Sequence, residues 1–117
     1  MEEKIPGINM EAGLSLCNGE IDLYTIALEA FIKHTPASID KIRNVTKESL
    51  PDYTIIVHSL KSISATIGAE EINTRAKKLE KLAKANDLEG VLSENDELIK
   101  LTLTMIEDVK NWLENNK

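Results

Sequence analysis

A chain of 117 residues has the length of one domain and can bury a real core, while its net charge of −6 argues against general nucleic-acid binding, which needs a basic footprint. No stretch approaches the roughly 18 to 20 apolar residues of a membrane span, and the N-terminal MEEKIPG lacks the basic and apolar runs of a secretion signal. With 42% hydrophobic and 29% charged residues but only 3% aromatics, five glycines and three prolines, the chain reads as globular, with an aliphatic core and mainly helical elements.

Residues 1–8 read as an extended lead-in with Pro6-Gly7 as a breaker pair. Asn9 is placed to cap a short helix through about Cys17, ended by Asn18-Gly19. A long helical pattern starts near Glu20, where Leu28, Phe31, Ile32, Ile39, Ile42 and Val45 recur at helical spacing. Because the apolar phase survives across Pro36, one kinked helix to about Glu48 is expected, with two helices broken at Thr35 as the alternative. Ser49 to Asp52 is a short connection, and Pro51 suits a first helical turn.

The next helix runs to Ile67, with Gly68 as terminator. A further helix from Ala69 to about Ala85 carries a stripe of Ile72, Ala76, Leu79 and Ala83, with Leu82, and the i,i+4 pairs Glu71-Arg75 and Glu80-Lys84. Asn86-Asp87 marks a turn. The last helix, Leu88 to Glu114, has a seam of Leu88, Leu92, Ile99, Ile106, Val109 and Leu113, interrupted by Asn95 and Thr102. Four main helices joined by tight turns predict an all-α fold: an antiparallel up-down four-helix bundle over about residues 20–115, with a short extra N-terminal helix, the whole chain forming one domain.

Much chemistry lacks its residues. Neither GxxxxGK[ST] nor GxGxxG occurs, so nucleotide binding by those loops is not expected. The single cysteine, Cys17, excludes an internal disulfide and a Cys-rich zinc site, and fits a reducing compartment. Neither His34 nor His58 belongs to a Glu-x-x-His motif, so no metal site is expected. His34, near Pro36, reads as structural or solvated.

His58 is the informative residue. At about 100° per residue, Ile56, Leu60, Ile63 and Ile67 stack on one side of its helix, whereas His58 lies about 200° from Leu60. Lys61, Ser62 and Ala65 share its outward face, placing a cation one turn from the ring and small residues beside it. A neutral imidazole, with an ordinary pKa of about 6.5, offers a nucleophilic lone pair at neutral pH.

The stretch HSLKSISATIGA resembles the signature of histidine phosphotransfer (HPt) domains, H-x-L-K-G followed by a glycine ten residues after the histidine. His58, Leu60, Lys61 and Gly68 match, Ala69 and Leu79-Glu80 fit the continuation, and Ser62 stands where the family usually has glycine. Residues 5–24 resemble the segment that opens such domains in hybrid sensor kinases, which implies a fragment of a longer kinase.

The resemblance implies a four-helix bundle. It implies reversible phosphorylation of His58 at Nε2, exchanged with an aspartate on the receiver domain of a response regulator or hybrid kinase in a two-component phosphorelay. Lys61 would offset phosphoryl charge. Ser62 and Ala65 would keep the surface low, and Gly68 would end the helix and permit close packing. The domain would bind no cofactor of its own, Mg²⁺ being expected on the receiver, and would have no autonomous kinase activity.

Docking is expected around Ile55, Ser59, Ser62 and Ala65, with Lys78 and Lys81 flanking an acidic receiver pocket. A monomer in the cytoplasm is expected, with no direct membrane contact, although a parent kinase can be membrane-anchored. Two other readings stay open: an HPt-like adaptor that is not phosphorylated, and a structural helical bundle whose last helix is an oligomer seam.

Overall fold

The computed structural model describes residues 4–116 and is helical, with no strand among the described residues. Of the expected lead-in, residues 1–3 lie outside the described ones. The helices are α1 (Met10–Leu16), α2 (Ile21–Lys41), α3 (Leu50–Ile67), α4 (Glu70–Lys84) and α5 (Leu88–Asn115).

Local chemistry sets most boundaries. The Asn9 side chain accepts the Ala12 N–H at 3.1 Å, capping α1. Asn18 and Gly19 take positive φ after it, and Asn86 does so before α5, where Asp87 caps through the Gly90 N–H. Gly68 ends α3 at φ 84°. It also receives α1: its carbonyl accepts the Asn9 N–H at 2.8 Å, and a Cβ there would collide with the Asn9 carbonyl. Buried Ile5 follows the same course, tucking the lead-in against the core.

The main helices close a ring of contacts, α2 on α3, α3 on α4, α4 on α5 and α5 on α2, while α1 lies against α3 and α2. Tyr24, near the start of α2, donates its hydroxyl to the Ile67 carbonyl at the end of α3 at 2.7 Å. Burial raises the phenol pKa of Tyr24 to about 12, with the Cys17 thiol adding to the shift. Leu28, Phe31, Ile39, Val57, Ile72, Leu79, Leu98 and Val109 fill the interior. Each such side chain contributes about 1.5–3 kcal/mol of hydrophobic stabilisation, enough together to hold the helix that carries the site.

Three expectations are corrected. First, α2 runs through Pro36 but ends at Lys41, not Glu48. Ile42 and Val45 are buried as anticipated, but from a non-helical segment. There the Ile42 carbonyl accepts from buried Asn95 Nδ2 at 2.7 Å, and Thr46 and Ser49 cross-bond in a turn. Second, the buried stripe of α3 is Tyr53, Val57, Leu60, Ser64 and Ile67, with Ile56 and Ile63 only partly buried beside it. The helix is rotated because it packs against α1, α2 and α4 together. Third, Leu92 is 50% exposed and the seam of α5 begins at Val91, one residue and about 100° away.

Candidate functional site

The site is built from the exposed side of α3 and one carboxylate of α4. Rotation of Val57 and Leu60 into the core carries His58 outward, with 57% of its side chain exposed. Across the α3–α4 seam stands Glu80, only 5% exposed. Its Oε2 lies 2.6 Å from His58 Nδ1, and its Oε1 accepts from Lys61 Nζ at 2.6 Å. Lys84, one turn along α4, reaches Oε2 at 3.4 Å.

Three cationic or cation-forming groups therefore converge on one nearly buried carboxylate. Its pKa falls from the ordinary 4.5 to about 2, chiefly through the Lys61 hydrogen bond, against the opposing effect of burial; the bond and the charge of His58 add to the lowering. A carboxylate ionised at neutral pH accepts but does not donate, so the proton of the His58–Glu80 bond sits on Nδ1. The other nitrogen, Nε2, is then the one with a lone pair in the neutral ring.

The register of this meeting is fixed from α4. Asn73, two turns before Glu80 on the same face, donates Nδ2 to the Lys61 carbonyl at 2.8 Å, and Ser64 donates its hydroxyl to the same oxygen at 3.0 Å. The two helices are thus stitched at Lys61 through its backbone and again through its ammonium.

The sequence-predicted residues distribute around this centre. Lys61 is half-buried and occupied by Glu80. Ser62 is exposed, and its hydroxyl bonds back to the His58 carbonyl at 3.2 Å, not to the ring. Ser59 and Ala65 are exposed on the same helix. Ile55 is 66% exposed and borders a groove of about 440 Å³ with Val45, Tyr53 and Ile56. Gly68 lies at the far end of α3 against Asn9. Lys78 is paired with Glu94 at 2.9 Å, whereas Lys81 is exposed beside Glu80. The exposed His34 lines a small cleft with Ser38 and Ser59.

Glu80 and Asn73 were not among the site residues expected from sequence. The structure puts the Glu80 carboxylate directly on the His58 ring. The i,i+4 spacing to Lys84 disguised Glu80 as a surface ion pair. Its place in a continuation shared with the HPt signature was the one available signal.

A scan against protein-family models matches the Hpt domain over residues 27–112, nearly three-quarters of the chain. The chain belongs to the Hpt domain family. The match runs from within α2 to near the end of α5 and includes His58, Lys61 and Glu80. Neither curated proteins nor solved structures gave a match. Membership of the Hpt family implies histidine phosphotransfer in phosphorelays, in which such domains meet receiver domains. Among the described residues, no helix is long and apolar enough to cross a membrane, and no group of three or more His, Cys, Asp and Glu is gathered as for a metal ion.

Proposed function

We propose that this Hpt domain accepts a phosphoryl group on Nε2 of His58 from a receiver-domain aspartyl phosphate and returns it to an aspartate. One observation carries the reading: the 2.6 Å bond between His58 Nδ1 and the Glu80 carboxylate leaves Nε2 as the nitrogen of an exposed ring that is not held by the protein. In the forward step the Nε2 lone pair forms the N–P bond. The acyl-phosphate O–P bond breaks, and the receiver's aspartate leaves as a carboxylate.

The Nδ1 proton stays on the ring, and the Glu80 carboxylate offsets the positive charge that develops there, as a buried acid steadies a catalytic imidazole elsewhere. Lys61, already one turn from His58, can exchange Glu80 Oε1 for a phosphoryl oxygen. Mg²⁺ held by the receiver would supply the remaining charge stabilisation, so this domain contributes a nucleophile held in place and a surface. Its small neighbours Ser59, Ser62 and Ala65 leave that surface low, and Ile55 offers an apolar contact beside it.

Tyr24 near the start of α2 meets Ile67 at the end of α3, and Ile42 just past the end of α2 meets Asn95 in the first third of α5, which supports an antiparallel up-down four-helix arrangement beneath the site. The test is transfer from a phosphorylated receiver. The domain should acquire acid-labile, alkali-stable phosphate, and His58→Gln should remove it. Equal labelling of His58→Gln overturns the proposal.

A further inference from the structure

Although the chain is acidic overall, the outer side of α4 is basic. Lys77, Lys81 and Lys84 line a groove of about 500 Å³ together with Lys61 and Glu80. Lys78 also borders it and is paired with Glu94. Five lysines against the carboxylates of Glu80 and Glu94 leave a local excess of three positive charges on a chain of net charge −6. Lys61 and Lys84 are shared with Glu80, whereas Lys77 and Lys81 have no ion-pair partner among the described residues. The groove is continuous with the phosphoacceptor, since Glu80 both lines it and holds His58 Nδ1.

We propose that this α3–α4 groove is the electrostatic half of the docking surface, receiving the acidic rim of the receiver's phosphorylation pocket, with Lys77 and Lys81 as its uncommitted cations. The inference rests on the reading of His58 as acceptor from a receiver. Its partner chemistry follows from what must approach Nε2. An aspartyl phosphate carries close to two negative charges, and the carboxylates that hold its metal surround it. Complementary charge of this kind acts mainly on encounter, raising association rates by about 10- to 1,000-fold, and is screened by salt. Two exposed lysines on a rigid helix can supply it without entering the reaction.

Phosphotransfer from a phosphorylated receiver should be timed for wild type, for Lys77→Glu/Lys81→Glu, and for Lys110→Glu on the remote end of α5, at low salt and at about 0.5 M salt, where the screening length is only a few ångströms. Labelling by phosphoramidate, a small donor that needs no docking, should be followed in parallel, and the helical circular dichroism and urea midpoint should show that the double variant is folded. The double variant is expected to lose about tenfold or more in kcat/KM at low salt through KM, with its saturated rate within about twofold of wild type. The loss should close at high salt, phosphoramidate labelling should be unchanged, and Lys110→Glu should behave as wild type.

An unchanged KM and salt slope in the double variant overturns the groove while leaving His58 as acceptor. Failure of both donors to label wild type overturns the acceptor reading, and the groove proposal with it.

Discussion

Replacing Glu80 by glutamine separates the charge of this residue from its shape. The amide oxygen can still accept from His58 Nδ1, but Lys61 and Lys84 lose their counter-ion. The magnitude follows from the titration of the carboxyl. Held at about 2 instead of the ordinary 4.5, the ionised form is favoured by about 3 kcal/mol in the folded state, at 1.36 kcal/mol per decade. The carboxylate lies shallow, beneath side chains that are themselves largely exposed at His58 and Lys84, so solvent screening discounts this to about 1–2 kcal/mol.

The sign is that of a depressed acid. Its contribution is complete above pH 4.5 and is lost as the pH falls towards 2, because the unfolded chain takes up the proton first. Urea unfolding of both proteins between pH 6 and pH 2 is therefore expected to show a stability difference that shrinks by about 1–2 kcal/mol across that window. Other carboxylates titrate in both proteins and cancel in the difference. A wild-type minus variant difference that stays flat from pH 6 to pH 2 would refute the account of Glu80 as an ionised hub.

Further substitutions probe the frame and the site. Gly68→Ala must adopt φ 84° and meets the Asn9 carbonyl, so a loss of about 2–4 kcal/mol is expected in denaturant titration, with α1 released first in hydrogen exchange. Asn95→Ala strips partners from the Tyr53 hydroxyl and the Ile42 carbonyl, both inside the core, and should cost about 3 kcal/mol by thermal or urea unfolding. Lys61→Ala removes one charge-assisted bond of about 1.5–3 kcal/mol, so transfer to His58 should slow about tenfold or more at saturating receiver while the fold survives.

The helical pattern was legible because its signals are local. Asn9, Gly68 and Asn86-Asp87 mark their boundaries through caps and positive φ, and the seam of α5 repeats at helical spacing. The early end of α2 was hidden because Ile42 and Val45 keep the helical phase while leaving the helix. The Ile42 carbonyl just past its end is taken instead by Asn95, far along the chain.

At the site, the same division holds. Periodicity could turn His58 outward, but it could not bring Glu80 across from the next helix. Rotation of α3 towards Tyr53 and Val57, imposed by three packing neighbours, likewise has no local signature. Side-chain pairs between helices follow from packing, which the order of residues within one helix does not encode.

The most direct test of the central claim is the position of the phosphoryl group on the ring. After transfer from a phosphorylated receiver to ¹⁵N-histidine-labelled domain, one-bond ³¹P–¹⁵N coupling is expected at Nε2 of His58, with Nδ1 protonated and hydrogen-bonded, and no signal in His58→Gln. Coupling at Nδ1, or phosphate on His34 instead, would contradict the arrangement in which Glu80 reserves one nitrogen and presents the other.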